Sequence, residues 1–286
     1  MTSPNTLRFA VPNKGRLKEP ALSLLRKAGY KFRLRERALY ATCSNADIIF
    51  IFVRTADIPQ LIAGGAADMG ITGEDLIEES GVKLHCLLPL DFGKCRLCIA
   101  GDASVKKKDL FYFKNSLIAT SFPAITKKFF QQQKIKVSVL EMNGSVELMT
   151  ALGRAKGIVD VVETGDSLKA HNLEIFSEIG EYQSVLACTK KMARDPRLLR
   201  IRRRLEGIII AAKYSILEYN IMEKDLPQAA RITPGFESPT VSRLEEKDWL
   251  AVKVMALKKE IPVIMDKLEH TGATAIIETE IKNCRL

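Results

Sequence analysis

The segment 158–173, IVDVVETGDSLKAHNL, has the residue types of a phosphate-binding turn. An apolar run ends at Glu163, and the tight turn TGDS (164–167) leads into a short helical pattern. Glycine inside the turn permits a positive φ, so that the N–H groups of the turn and of the helix N-terminus point at one spot. The threonine and serine hydroxyls add donors, and the pattern predicts a phosphate site.

Two acidic residues, Asp160 and Glu163, lie beside this turn. Carboxylates in such a place hydrogen-bond ribose hydroxyls or hold Mg²⁺, which favours a phosphorylated sugar over a bare phosphate. An ordinary capped connection between a strand and a helix has the same spacing, and the spacing alone leaves both interpretations open.

Cationic loops provide the opposite charge. PNKGRL (12–17) follows the first apolar strand and places Lys14 and Arg16 on either side of a glycine, and RTADIP carries Arg54 at another strand end. Lys94 and Arg96 lie where one predicted unit ends and the next begins. Such cations suit a polyphosphate, although loop cations are also commonly only solvated.

Two further junctions resemble the first. In GITGED (70–75), Thr72 is predicted to cap a helix, with Asp75 completing a capping-box pair. In MNGSVE (142–147), Ser145 is predicted to cap the next helix. Three such junctions, spread over two α/β units, predict a ligand cleft between the units.

The elements that must position these residues alternate between strands and helices. Short apolar runs and amphipathic segments predict two α/β units with largely parallel sheets, the second starting near Lys94 and ending near Gly180. A long helix is predicted to start near Arg194 and run to about Asn220. The remaining chain predicts a small α+β module with an antiparallel sheet.

Composition narrows the class of protein. The 286 residues are 47% hydrophobic with a net charge of +10, which excludes a disordered, collagen-like or disulfide-scaffold chain. No apolar run reaches the roughly 18 residues needed to span a bilayer, and no leader is evident, so a cytoplasmic protein without membrane contact is expected. The positive charge favours polyanionic partners.

Cysteines, histidines and arginines are less specific. Cys95 and Cys98 fall on a predicted strand and are interpreted as buried thiols, and the three histidines lack metal-ligand spacing. The arginines of 197–204 fit either a nucleic-acid footprint or the solvated face of a helix whose apolar stripe includes Leu198 and Leu205. The helix interpretation is preferred, and no nucleic-acid partner is expected.

Taken in order along nearly the whole chain, these motifs resemble those of the ATP phosphoribosyltransferase family in its long form. The motifs are PNKGRL, RTADIP, GAADMGITGEDLIEE, FGKCRL, NGSVEL, DVVETGDSLKAHNL, ITPGFESPTV and GATAIIETEIKNCRL. The resemblance implies an α/β catalytic region with two lobes, similar to type II periplasmic binding proteins, followed by an ACT-like (ferredoxin-like) regulatory domain. The implied lobes are 1–94 completed by 181–212, and 95–180, with the regulatory domain at 213–286.

The resemblance also implies roles for particular residues. The residues expected around the phosphoribosyl group of phosphoribosyl pyrophosphate are Asp160, Glu163, Thr164, Gly165, Asp166, Ser167 and Leu168. Those expected to face the pyrophosphate and the ATP phosphates are Lys14, Arg16 and Arg54, and those expected near the nucleotide are Asp68, Thr72 and Gly73. Those expected in a histidine pocket are Glu218, Ser238, Thr240 and Ala273. Ser167 and Glu218 replace the family's usual threonine and aspartate.

The reaction implied is the condensation of ATP with phosphoribosyl pyrophosphate, the first step of histidine biosynthesis, with feedback inhibition by histidine. Mg²⁺ is the implied cofactor, held mainly by the substrate phosphates rather than by identified protein ligands. A homo-oligomer in equilibrium between dimer and hexamer is also implied. A solute-binding protein is the alternative from another class, because it would share the two lobes.

Overall fold

The computed structural model describes residues 6–35 and 38–286, which form two compact units. The first unit comprises the chain up to Arg26 together with Tyr30–Arg202, and the second comprises Lys27–Gly29 together with Arg203–Leu286. The first unit contains two sheets and the second contains one. We refer to the two sheets of the first unit, with their helices, as lobe I and lobe II.

Lobe I contains six strands in the order β2-β3-β1-β4-β11-β5. Its central strand is apolar except at Arg8, and its remaining residues are all buried, as parallel strands usually are. The first helix buries one stripe of alanine and leucine side chains against this lobe and ends before Gly29, whose φ is +87°. The elements are β1 (Leu7–Pro12), α1 (Lys18–Lys27), β2 (Tyr40–Thr42), β3 (Ile48–Val53), α2 (Ile58–Ala63), β4 (Met69–Gly73), α3 (Glu74–Ser80), β5 (His85–Pro89) and, after lobe II, β11 (Ser184–Cys188).

Lobe II contains five strands in the order β10-β6-β9-β7-β8. Its core is rich in aromatic side chains, including Phe113 and Phe130, which are almost fully buried. Cys95 and Cys98 are buried on β6, which confirms their interpretation as buried thiols. The elements are β6 (Cys95–Asp102), β7 (Leu117–Thr120), α4 (Pro123–Gln132), β8 (Ser138–Glu141), α5 (Glu147–Ala151), β9 (Gly157–Val162), α6 (Asp166–Ala170) and β10 (Leu173–Tyr182).

Both sheets are mixed, so the prediction of largely parallel sheets is wrong. The parallel pairs are β1 with β3 and β4 in lobe I, and β7 with β8 and β9 in lobe II. The strands that carry the chain between the lobes, β5 into β6 and β10 into β11, pair antiparallel with their neighbours. The chain passes twice between two α/β lobes, which is the expected two-lobed fold.

Two strands, β10 and β12, are not among the elements predicted at these positions from the sequence. The sequence predicts a short helix that ends at residue 173 and no element directly after it, where the structure has strand β10. Two register shifts disturb the alternation of this strand and hide it from a period-two search. The predicted long helix ends at Lys213, because α7 (Pro196–Lys213) gives way to strand β12 (Tyr214–Met222). In β12 buried and half-buried residues alternate strictly, which is the strand period.

The amphipathic interpretation of the arginine-rich segment is confirmed. Leu198, Ile201, Leu205 and Ile208 of α7 are all buried. Within the described residues, no helix is sufficiently long and apolar to cross a membrane.

The second unit has the β-α-β-β-α-β order and the antiparallel sheet β13-β14-β12-β15 of a ferredoxin-like domain. Leu217, Tyr219 and Ile221 of β12 form its core together with apolar side chains of the two helices. The expected ACT-like fold is confirmed. Its further elements are α8 (Leu226–Ile232), β13 (Thr240–Arg243), β14 (Trp249–Leu257), α9 (Ile261–His270) and β15 (Thr274–Glu280).

The two capping predictions are wrong. Helix α3 begins at Glu74 after Gly73, and Thr72 lies inside β4, where its buried hydroxyl donates to the carbonyl of Thr55 over 3.2 Å. Ser145 adopts a φ of +53°, and Val146 rather than Ser145 occupies the N-cap of α5. At the first place the strand runs one residue further than the capping pattern assumed, and at the second the positive φ of Ser145 is not the extended conformation of an N-cap.

Candidate active site

The carboxyl ends of the parallel strands in lobe I collect the predicted cations. Strands β1 and β3 are paired up to Pro12 and Val53, so Lys14 and Arg54 follow neighbouring strand ends. The amide of Asn13 donates to the carbonyl of Val53 over 2.8 Å, which holds the two loops together. Both cations are exposed, and the described part of the chain offers neither of them an ion pair. They are available to an anionic ligand.

The predicted phosphate turn of lobe II has the expected backbone. Gly165 has a φ of +87° at the N-cap of α6, a backbone conformation that residues other than glycine rarely adopt. The hydroxyl of Thr164 donates to Asp166 over 2.7 Å, and the hydroxyl of Ser167 donates to Glu147 over 2.8 Å. Leu168 is buried and anchors the short helix. The turn is thus held in shape by its own side chains and by the start of α5.

Arg16 joins this turn to lobe I. One guanidinium nitrogen, Nη1, donates to the carbonyl of Gly93 over 2.9 Å and to Glu163 Oε1 over 3.2 Å. The other, Nη2, lies 3.1 Å from the sulfur of Cys95 and 3.6 Å from Asp75 Oδ2. The cationic loop after β1 and the phosphate turn after β9 therefore face each other across one cleft.

A cavity of about 510 Å³ opens next to this bridge. Cys95 and Glu163, both in contact with Arg16, lie in its wall, as does Tyr182 from the strand that returns to lobe I. Lys94 and Arg96 also line it, although each is paired with a carboxylate, Asp91 and Glu178 respectively. The volume falls in the range of small-molecule sites. Its other lining residues are Glu74, Val162, Glu181 and Gln183.

Asp160 is an acid with an unusual pKa at this site. Burial raises its pKa to about 6, the negative charge of Glu147 adds to the shift, and the amide of Val161 and the charge of Arg16 oppose it. A carboxyl group that titrates near neutral pH is typical of sites that bind charged ligands or transfer protons.

Carboxylates of α3 make further contacts between the lobes. The carboxylate of Glu79 accepts from the amides of Ala124 and Ile125 at the N-terminus of α4, with distances of 2.8–3.1 Å. Glu78 pairs with Lys128 of the same helix over 2.7 Å. The lobes are therefore joined beside the cleft as well as within it, which fixes the distance between the two ligand-binding loops in this conformation.

Two residues expected near the nucleotide lie elsewhere. Asp68 precedes β4 at the amino end of the parallel strands, where it pairs with Arg8 over 2.9 Å. Gly73 lies five residues further along the chain, roughly 16 Å away at the usual rise per residue. Thr72 is fully buried and bonded to the backbone, as described above. Of the three, only Gly73 reaches the carboxyl edge.

The expected histidine-pocket residues divide between two cavities of the second unit. Ser238 and Thr240 line a cavity of about 480 Å³, and Lys253 of the same lining pairs with Glu218 over 2.9 Å. Ala273 lines a different cavity, of about 560 Å³, at the start of β15. The first cavity thus gathers three of the four predicted residues, directly or through one contact.

Two acidic residues of the site were not predicted from the sequence. The sequence pattern predicts Asp75 as part of a capping box, but its carboxylate lies beside Arg16. Glu147 is not among the residues predicted for the site, but its carboxylate accepts a hydrogen bond from the hydroxyl of Ser167 in the phosphate turn. An acidic residue that directly follows a strand end or a turn was the available signal in both cases.

A divalent cation would find oxygen ligands at Asp160 and Glu163. In the parts of the chain described, no group of three or more histidine, cysteine or acidic side chains is arranged to hold a metal ion. Mg²⁺ commonly binds through one or two carboxylates together with substrate phosphates, and the donors present are compatible with that mode.

Comparisons with known proteins show the family of the chain. The family model described as ATP phosphoribosyltransferase matches residues 54–207, and the one described as HisG, C-terminal domain matches residues 211–283. An ATP phosphoribosyltransferase of Rhodopirellula baltica is 44% identical over 98% of this chain and 94% of its own length. One from Arthrobacter sp. strain FB24 is 39% identical over 98% of this chain and 100% of its own length.

Among solved structures, an ATP phosphoribosyl transferase (HisG:HisZ) complex from Thermotoga maritima has a chain that is 29% identical, with a TM-score of 0.64. The match covers 72% of this chain and 99% of that chain. The chain described here therefore belongs to the ATP phosphoribosyltransferase family, pentosyltransferases of histidine biosynthesis, and carries the family's C-terminal domain.

Proposed function

We propose that this protein transfers the phosphoribosyl group of phosphoribosyl pyrophosphate to N1 of the adenine of ATP. N1 attacks the anomeric carbon, the bond from that carbon to the pyrophosphate oxygen breaks, and N1-(5-phosphoribosyl)-ATP and pyrophosphate are formed. The observation that carries the proposal is the Arg16–Glu163 contact of 3.2 Å, which brings a cationic loop and a phosphate turn to one cleft.

The phosphate turn is suited to the 5-phosphate. Gly165 lets the backbone N–H groups converge, and the hydroxyls of Thr164 and Ser167 can turn from their carboxylate partners toward the ligand. Asp160 and Glu163, at the start of the turn, are suited to accept from the ribose hydroxyls. The sugar is thereby oriented with its anomeric carbon toward lobe I.

The cations of lobe I are suited to the leaving group. Negative charge accumulates on the departing pyrophosphate, and Lys14, Arg16 and Arg54 supply fixed positive charge at one edge. No covalent nucleophile is required, because holding N1 opposite the leaving group already lowers the barrier. Mg²⁺, when bound to the phosphates, would neutralise part of their charge, with Asp160 or Glu163 as protein ligands.

The second unit is suited to regulation by histidine. Its ferredoxin-like fold and the cavity near Ser238 and Thr240 offer hydroxyls, and Glu218 offers a carboxylate for a cationic amino group. Assembly into a homo-oligomer, with dimers and hexamers in exchange, is part of the same proposal, and the relative from Thermotoga maritima was solved as a complex.

The direct test is the formation of phosphoribosyl-ATP from ATP, phosphoribosyl pyrophosphate and Mg²⁺, followed by absorbance and identified by mass spectrometry. We expect product only when all are present, and less of it when histidine is added. Absence of product with pure, folded protein would overturn the catalytic proposal. Full activity in saturating histidine would overturn the regulatory part alone.

A substitution in the turn tests the placement of the substrate. In Gly165→Val, a β-branched residue must adopt a positive φ, so we expect turnover to be abolished while the fold persists. Gly153→Val is the matched control, since Gly153 also has a positive φ (+64°) in lobe II but lies outside the turn. Normal turnover in Gly165→Val would place the 5-phosphate elsewhere.

A further inference from the structure

Asp75 is a buried acid in the cleft to which the proposed chemistry gives no task. Its side chain is only 3% exposed, and its Oδ2 lies 3.6 Å from Nη2 of Arg16. Within the described residues its other oxygen, Oδ1, has no hydrogen-bond partner. Burial raises the pKa of Asp75, and the positive charge of Arg16 opposes that shift. A carboxylate kept in such a place costs folding free energy, which points to a function.

Among the described residues Arg16 has four partners, which are of different chemical kinds. The carbonyl of Gly93 and the thiol of Cys95 are neutral acceptors on the segment that leads into lobe II. Glu163 is an acid, but it belongs to the phosphate turn and its side chain is 53% exposed. Asp75 is therefore the buried acidic partner that belongs to the same lobe as Arg16.

The local backbone is built to admit this carboxylate. A Cβ atom on Gly73 would lie 1.9 Å from Oδ1 of Asp75, so the side chain occupies space that only glycine leaves free. Asp75 also lies in the first turn of α3, where a helix favours negative charge. Both features hold the carboxyl group of Asp75 beside Arg16.

We propose that Asp75 is a positioning residue, which holds the guanidinium of Arg16 in the orientation that meets the departing pyrophosphate. The inference rests on the proposed function, in which Arg16 faces that group. When the substrate binds, Glu163 releases Arg16 and accepts hydrogen bonds from the ribose instead. The buried contact with Asp75 then keeps the guanidinium of Arg16 in place. Asp75 itself touches no reacting atom.

This role has an unusual kinetic signature. Asp75→Asn loosens Arg16, so kcat for phosphoribosyl-ATP formation should fall about tenfold or more. The same change removes a negative charge near a polyanionic substrate, so KM for phosphoribosyl pyrophosphate should stay the same or decrease. General damage to the cleft would instead raise KM.

A double-mutant cycle on the full chain tests the route of the effect. The variants are Asp75→Asn, Arg16→Lys and the double variant, compared with the unmodified protein by kcat and KM. If Asp75 acts through Arg16, the double variant should be no slower than Arg16→Lys alone, since residues acting as a unit are not additive. Losses that multiply would overturn the inference, as would a raised KM with an unchanged kcat.

The cycle distinguishes a failure of the proposed role of Arg16 from a failure of the proposed role of Asp75. Full activity in Arg16→Lys would remove Arg16 from the proposed chemistry, whereas impaired Arg16→Lys with unimpaired Asp75→Asn would overturn only the role of Asp75. Asp195→Asn is the matched control, because Asp195 pairs with Arg197 over 2.7 Å outside the cleft. We expect its thermal midpoint to fall while kcat stays unchanged.

Discussion

Two aspartate–arginine pairs flank the neighbouring strands β1 and β4, one at each end. At the amino end Arg8 and Asp68 form a close pair, in which the amide, Nε and Nη2 of Arg8 all donate to the carboxylate over 2.8–3.3 Å. At the carboxyl end Arg16 and Asp75 are 3.6 Å apart, and one carboxylate oxygen of Asp75 lacks a partner among the described residues.

The two geometries indicate different roles for the two aspartate–arginine pairs. The first pair satisfies both carboxylate oxygens and ties two strands together, which is a structural task. The second leaves its acid buried and incompletely satisfied, and its arginine reaches the opposite lobe. Parallel strands direct their carboxyl ends toward ligands, so the same two residue types stabilise the fold at one edge and prepare binding at the other.

The largest expected effect is at the carboxyl-edge pair. Arg16→Ala removes a donor aimed at the leaving group, and we expect kcat/KM to fall about 100- to 1,000-fold. It also leaves Asp75 buried without its cation, which lowers the free energy of unfolding. Adding Asp75→Asn to this variant should restore stability but not turnover, as measured by urea unfolding and by product formation. If turnover of Arg16→Ala is within threefold of that of the unmodified protein, the pair at the carboxyl edge has no greater functional role than the pair at the amino edge.

The second test concerns the space left by Gly73. Its φ of −91° and ψ of 148° are ordinary for alanine, so the cost of Gly73→Ala comes from displacing the Asp75 carboxylate. We expect a loss of about 1–3 kcal/mol in the free energy of unfolding. In an Asp75→Ala background the same change should cost much less. Equal losses in both backgrounds would show that some other contact excludes the methyl group.

The third test uses pH on another buried acid of the cleft. The pKa of Asp160 is about 6 in the folded state against 3.8 as its ordinary value. The folded state therefore holds more protons between these values, and stability decreases as pH rises through that window. In urea unfolding between pH 4 and 7, Asp160→Asn should gain up to about 3 kcal/mol relative to the unmodified protein.

Asp195 is the control of opposite sign for that test. Its pKa is lowered by the hydrogen bond from Arg197, so its contribution to stability is present above its ordinary pKa and is lost on acidification. Asp195→Asn should therefore lose stability at neutral pH, where Asp160→Asn gains it. Parallel pH curves for Asp160→Asn and the unmodified protein would contradict the assignment of Asp160.

The smallest expected effect is at the amino-edge pair. Arg8→Met keeps the aliphatic stem but removes the charge, and the side chain of Arg8 is 43% exposed. We expect a loss of about 1 kcal/mol in stability and no change in kcat. An increase in KM for ATP would indicate that Asp68 acts in nucleotide binding after all, and would make the two edges alike.

The local features of the site could be predicted from the sequence. Glycine in the turn after an apolar run predicts a positive φ at that position, and Gly165 adopts one. The two α/β units and the small α+β module followed from the alternation of elements, and the ferredoxin-like fold of the module was implied by the family resemblance. Strands β10 and β12 were missed, since bulges obscure the first and the second continues directly from a helix.

What the sequence by itself determined is the set of chemical groups: a phosphate turn, cations after strand ends, and acids beside them. Only the tertiary structure decided which acid meets which cation. Asp68 and Asp75 are seven residues apart, and nothing local distinguishes them as partners for an arginine. The parallel pairing of β1 with β4 places one at the structural edge and the other in the cleft. Contacts between residues distant in the chain depend on strand order and direction, which no single segment encodes.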